Sequence, residues 1–322
     1  MRLPALFGRL KAAVVGVVHV GALPGTPRSS LPLTQIIDQA CQEAETYRDA
    51  GVDGLIVENM HDVPYTLCPG PEVTAAMTIL SAAVRQTCPR LALGVQVLCA
   101  ANQQAIAVAL AAGLDFIRAE GFVFSHVADE GIINACAGDL LRYRKHIGAE
   151  NIQIFADIKK KHSAHALTAD VSVAETAAAA ELFLADGVVL TGTATGLPAR
   201  PQDLAEVKHA VKIPVLIGSG VTLENVRNYL DANALIIDSL ITSGVQFLFP
   251  APIPTNSSLV ENRNKRTGRS WGKAAQGCEK RVFVGFPLRR ERATRCNLRK
   301  PAGSHHRVHR ILRVLNWLLL TL

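Results

Sequence analysis

Four times along the chain a helical tail gives way to a small or acidic residue and then to an apolar strand that ends on a polar side chain. Residues 50–58 and 112–120 are full copies of this unit, and residues 186–191 and 233–238 are weaker ones. Superposing the four puts Glu58, Glu120, Thr191 and Asp238 at one equivalent strand end. Four further apolar runs, 14–20, 91–98, 152–158 and 213–217, alternate with these copies, so the pattern predicts eight strands. Near-continuous apolar strands, each of the first seven followed by a stretch able to supply a helix, imply a parallel sheet covered on both faces. Eight such units close into a (β/α)8 TIM barrel.

Helices are predicted over 33–50, 73–86, 102–111, 133–146, 173–184, 202–211 and 223–230. In the first of them Ile36, Ile37, Ala40, Cys41, Ala44 and Tyr47 keep the helical period, with the charged residues left to water. Gly51, Gly113 and Gly148 stand where helix stops are expected, and Thr222 where an N-cap is. No eighth helix is recognisable. After Asp238 the chain passes Pro250, Pro252 and Pro254 into Asn-, Ser- and Arg-rich sequence with no sustained period. The expected organisation is a short extension over 1–12, a barrel over 13–240 and an irregular basic tail over 241–322.

Composition refines this picture. With 322 residues, 49% apolar but only 5% aromatic, the chain can bury one large aliphatic core. The net charge of +7 hides two unlike parts. Through Ile237 there are 18 Lys and Arg against 23 Asp and Glu, and beyond it 16 against 4, so the basic signal belongs to the tail. The seven cysteines include no C-x-x-C pair, which points away from zinc knuckles and secreted disulfide frameworks and toward a reduced compartment. An acid-free, basic opening over 1–11 resembles a transit peptide, so an intracellular location, cytoplasm or mitochondrial matrix, is expected. No apolar run reaches the roughly 18 to 20 residues of a spanning helix. A basic tail without an aromatic platform gives no specific nucleic-acid expectation, although residues 308–322, with Arg310 and Arg313, have the make-up of a segment that lies on anionic lipid.

Chemistry in such a barrel sits at the carboxyl ends of the strands. Those ends carry His19, Glu58 with Asn59, Gln96, Arg118 with Glu120, Asp157 with Lys159, Thr191, the Gly218-Ser219-Gly220 turn and Asp238. Unpaired charge on a strand buried on both faces costs several kcal/mol, so Arg118, Glu120, Asp157 and Lys159 require a reason. Residues two apart share a face, which sets Arg118 beside Glu120 and Asp157 beside Lys159. One reading makes a carboxylate the general acid or base and Lys159 a phosphate contact, proton carrier or Schiff-base amine; the other is a structural ring of ion pairs. His19 is a catalytic imidazole, a ligand or a histidine satisfied by a carbonyl. His162 and His165 stand close enough in sequence to join Asp157 around a metal, but loop spacing does not constrain geometry, and no cofactor is expected. Thr191-Gly192 and Gly218-Ser219-Gly220 offer hydroxyls and backbone N–H groups for a phosphate, while Asp238, if it points inward, opposes one.

Taken in order, Val18-His19, Leu23-Pro24-Gly25, Glu58-Asn59 before Asp62 and Pro64, Phe116-Ile117-Arg118, the 129–133 run, Arg142-Tyr143-Arg144, Ala156-Asp157-Ile158 with Lys161-His162-Ser163, Thr191-Gly192 with Thr195-Gly196, and the 215–222 run resemble the BtpA family. The resemblance covers about residues 14–237. It implies a ribulose-phosphate-binding type of TIM barrel with a small phosphorylated sugar or nucleoside as ligand and a lyase, isomerase or glycosidase type of reaction. It equally implies a non-catalytic biogenesis or stability factor for a membrane protein complex, the photosystem I role from which the family takes its name. Animal-type relatives carry a mitochondrial label, and a homo-oligomer is compatible with either reading. The chain departs from the family pattern at Asp238-Ser239, where a closing helix is replaced by the basic tail, as an alternative or misread exon would produce.

Overall fold

Side chains on the strands of a closed parallel barrel alternate between the interior and the helix layer, so the fold decides which polar residues meet. The computed structural model describes residues 6–8, 11–222 and 224–237. Eight parallel strands close in the order β1 (Ala13–His19), β2 (Gly54–Glu58), β3 (Ala92–Gln96), β4 (Phe116–Ala119), β7 (Gln153–Ile158), β9 (Gly187–Leu190), β10 (Val215–Ile217) and β11 (Ala234–Ile237), with β11 pairing back onto β1. The remaining strands β5 (His126–Ala128), β6 (Gly131–Ile133) and β8 (Ser163–Ala164) form a separate three-stranded antiparallel sheet.

Helices α1 (Leu33–Asp49), α2 (Pro71–Thr87), α3 (Asn102–Ala112), α4 (Ala137–His146), α5 (Val173–Leu182) and α6 (Pro201–Ala210) connect the barrel strands. Most agree with the sequence pattern to within two residues. The helix expected over 133–146 begins four residues later, because residues 131–133 pair with β5 instead: His126 faces Ile133 and Ala128 faces Gly131, whose φ of +106° makes the hairpin turn. Ile133, where the helix is expected to start, is buried from its place in β6. The helix expected over 223–230 is a 3-10 turn, Val226–Tyr229. Asp238 and the tail, with the missing eighth helix, lie outside the described residues.

Alternation fills the interior from the amino end upward. Val15 and Val17, Ile56, Ala92, Phe116, Phe155, Val189, Leu216, Ala234 and Ile236 form one interior cluster, closed at that end by Phe7. The three phenylalanines pack with centroids 5.3, 5.7 and 6.4 Å apart, within the range of favourable aromatic pairs. Gly94 is what admits them: a Cβ there would lie 2.2 Å from Cε2 of Phe116. A second, larger cluster fills the layer between strands and helices. Two residues further along the same inward faces come His19, Glu58, Gln96 (after Gly94), Arg118, Asp157, Thr191 and Gly218. The apolar plug thus ends where the polar mouth begins.

Candidate functional site at the barrel mouth

A cavity of about 270 Å³ opens at the carboxyl ends of the strands. His19, Glu58, Gln96, Arg118, Glu120, Asp157 and Lys160 line it, together with Asp129 and Glu130 from the β5–β6 turn and Lys161, His162 and Thr195 from the loops after β7 and β9. Glu58, Arg118, Glu120 and Asp157 therefore meet in one space.

Two ion pairs organise its wall. Arg118 Nε donates to Asp157 Oδ1 at 2.9 Å between side chains 6% and 1% exposed. Burial works against the Arg118 charge, but the carboxylates of Asp157 and Glu58 outweigh it and raise the guanidinium pKa. For Asp157 burial prevails and raises the carboxyl pKa, with Arg118 pulling it back. Gly218 leaves space beside this pair, since a Cβ there would lie 3.3 Å from Nη2 of Arg118 and 2.5 Å from Val189.

The second pair is Lys160 Nζ to Glu120 Oε1 at 2.9 Å, both side chains 8% exposed. Glu120 Oε2 also accepts the backbone N–H of Ala100 at 2.9 Å. Burial raises the Glu120 pKa, and Lys160 with that N–H more than reverses it, so the carboxyl is held below its ordinary value. Glu58 has the opposite environment. Its side chain accepts no hydrogen bond from the described residues, and burial pushes its pKa up against the partial compensation of Arg118 and Lys161.

Lys159 corrects a sequence expectation. Strict alternation would turn it inward beside Asp157, but its φ is +45° and the alternation breaks there. Its Nζ donates instead to the carbonyl and hydroxyl of Thr168 at 2.7 and 2.8 Å, and Lys160 takes the inward place. Three consecutive lysines at 159–161 gave no sign of which one would enter the mouth.

The glycine turns stand apart from this cavity. Thr191, Gly192, Gly218, Ser219 and Gly220 do not line this cavity. The Ser219 hydroxyl accepts from Gly192 N–H and donates to the Leu197 carbonyl, and Thr191 Oγ1 accepts the N–H of Lys161. A Cβ on Gly192 or Gly220 would lie 2.2 or 2.4 Å from the Leu197–Pro198 backbone, so these glycines let the loop after β9 pack onto the turn after β10.

His19 reaches the cavity from the end of β1. His162 Nε2 lies 2.8 Å from Thr195 Oγ1 and His165 Nε2 lies 2.9 Å from the Lys160 carbonyl. Among the described residues no three His, Cys, Asp or Glu side chains form a group able to hold a metal ion. Asn59 and Asp62 serve the scaffold: Asn59 donates to Asp62 at 2.8 Å and accepts from Leu98 N–H, and Asp62 accepts from Leu23 N–H, tying three loops together.

Fold and mouth together define a (β/α)8 barrel with a charged carboxyl-end cavity. The chain belongs to the BtpA family, whose model matches residues 10–249. It is 49% identical over 239 residues to an uncharacterised mitochondrial protein of Caenorhabditis elegans, covering 73% of this chain and 86% of that one. It is 37% identical over 229 residues to the photosystem I biogenesis protein BtpA of Synechocystis, covering 70% and 79%. Among solved structures, orotidine 5'-monophosphate decarboxylase of Methanocaldococcus jannaschii superposes with a TM-score of 0.48 at 17% identity, covering 73% of this chain and 92% of that one. No described helix is long and apolar enough to cross a membrane.

Proposed function

We propose that the barrel mouth binds a small phosphorylated sugar or nucleoside metabolite and acts on it by proton transfer. The observation that carries this reading is a pair of carboxyl groups in one cavity whose acidities are driven apart, Glu58 upward by burial and Glu120 downward by Lys160. Such a separation is how one site holds an acid and an ionised carboxylate at the same pH. Glu58 is the proton donor, and His19, its neighbour across the β1–β2 ladder, is the second proton carrier. Arg118, oriented by Asp157, stabilises developing negative charge, and Glu120 with Lys160 supplies a fixed ionic wall. The phosphate belongs at the Lys161, His162 and Thr195 rim. Lys159, bound to Thr168, is a structural support in this scheme.

A thermal-shift and calorimetric screen of the full chain against phosphorylated sugars and nucleosides tests the reading. A ligand at 100 times its Kd stabilises by about 2.7 kcal/mol, or roughly 5–10 °C in a domain of this size. Glu58→Gln should abolish turnover of the identified ligand while keeping its binding. Silence across the whole library would sink the proposal. The name of the cyanobacterial relative favours a second reading, a non-catalytic assembly factor for a membrane complex, and silence would leave that one standing. The mitochondrial name of the nematode relative favours the matrix over the cytoplasm as the place of action.

A further inference from the structure

The charge pairs in the mouth hold one another, whereas Gln96 and Glu58 in its wall have unmet hydrogen-bonding capacity. β1, β2 and β3 end in register, His19 opposite Glu58 and Glu58 opposite Gln96. Neighbouring strands lie about 4.8 Å apart, so the three side chains form a row across adjacent inward positions. Gln96 is 3% exposed and its Oε1 has no hydrogen-bond partner among the described residues. A buried amide oxygen without a donor is unfavourable, and an apolar side chain of the same size would remove the cost. Glu58, beside it, also accepts no hydrogen bond from the described residues. Both line the same cavity.

From this juxtaposition we infer that the Glu58–Gln96 wall, flanked by His19, is a hydroxyl-reading subsite that binds the vicinal hydroxyls of a sugar. The inference rests on the small-metabolite reading above and names the part of the ligand that this wall selects. A hydroxyl both donates and accepts. It satisfies the Gln96 amide in either orientation and donates to the Glu58 carboxyl. A phosphate has little to donate to the Gln96 oxygen; it is directed to the far rim at Lys161 and His162. The ion pairs Arg118–Asp157 and Lys160–Glu120 already hold their partners at 2.9 Å, so they contribute less to selecting hydroxyls. A cavity of about 270 Å³ suits a pentose or hexose phosphate better than a dinucleotide.

Calorimetry on the full chain with matched pairs decides the matter: ribose 5-phosphate against 2-deoxyribose 5-phosphate, and glucose 6-phosphate against 2-deoxyglucose 6-phosphate, with inorganic phosphate as reference. At least one hydroxylated member should bind about tenfold tighter than its deoxy partner, the equivalent of one net hydrogen bond. Gln96→Leu should bring that ratio within twofold. The ligand-free Gln96→Leu protein should melt no lower than wild type, because a glutamine held for structure would lose stability on replacement. Equal binding of both members of every pair by the wild-type protein, a measurement that needs no variant, overturns the hydroxyl subsite and leaves the metabolite reading intact. Discrimination that survives in Gln96→Leu overturns the assignment to this wall. Failure of all four sugar phosphates to bind overturns the hydroxyl subsite, and silence of the wider sugar and nucleoside library overturns the metabolite reading with it.

Discussion

Replacing Lys160 by Met leaves a carboxylate buried without its cation. The two side chains are each 8% exposed and 2.9 Å apart, so solvent has little access to relieve the loss. Removing one partner of a buried pair costs about 3–5 kcal/mol. At roughly 2–4 °C per kcal/mol for a domain of this size, Lys160→Met should melt about 6–20 °C below wild type at pH 7. The pH dependence carries the sign. In the wild-type protein Glu120 is held below its ordinary pKa, and its contribution is present above the unfolded value and lost as pH falls through the folded one. Lys160 is raised, burial opposing and Glu120 prevailing, so its contribution is present below its unfolded value and lost as pH rises through the folded one. Without Lys160 the Glu120 carboxyl is dominated by burial and titrates above its unfolded value. The deficit of the variant should therefore shrink between pH 7 and pH 4 as that carboxyl takes up a proton. Adding Glu120→Gln to Lys160→Met should recover much of the loss, with a coupling of about 2 kcal/mol or more in the double-mutant cycle. Denaturant unfolding at pH 4 and pH 7 reads all four proteins. Additive single substitutions, or a Lys160→Met loss below about 1 kcal/mol at pH 7, would refute the reasoning.

Glu58→Gln should raise the melting temperature more at pH 8 than at pH 5, since a carboxyl with a raised folded pKa penalises the native state once the unfolded chain has ionised; a flat difference across that range contradicts it. Burial and the nearby Lys160 depress His126 to about 4, so stability should fall as pH drops from about 6.5 toward 4, by up to about 3 kcal/mol. His126→Gln should flatten that part of the profile, and an unchanged slope in acid unfolding would assign it elsewhere. Gly94→Ala should cost about 1–3 kcal/mol by driving a methyl into the Phe116 ring. At Gly113, where φ is +68° and no atom lies within 4 Å, alanine should cost only the left-handed backbone strain, about 1–2 kcal/mol; chemical denaturation separates the two, and a Gly94→Ala protein as stable as wild type would contradict the packing argument.

Much of this architecture is local information and could be read along the chain. Apolar runs alternating with helical periods are enough to predict eight barrel strands, because each strand is buried on both faces and each helix on one. Strand alternation likewise places Glu58, Arg118 and Asp157 on inward faces, since the side-chain period of two persists to the strand end. That logic stops where the strand stops. A positive φ at Lys159 reverses inward and outward over a single residue and hands the mouth to Lys160, which no spacing in the 159–161 run reveals. The β5–β6 hairpin that brings Asp129 and Glu130 to the cavity depends on a turn and on pairing with β8 from a different loop. Its Ile133 therefore reads along the chain as the start of a helix. That Gly192 and Gly220 both press against the Leu197–Pro198 backbone is likewise invisible along the chain, where they read only as glycine turns able to hold a phosphate. Sequence by itself determined the barrel and the polar residues that its strands turn inward, through periodicities that each segment carries alone. Tertiary structure decided which charges pair, which remain unsatisfied and which loop groups reach the mouth, because those depend on distances between segments 20 to 40 residues apart.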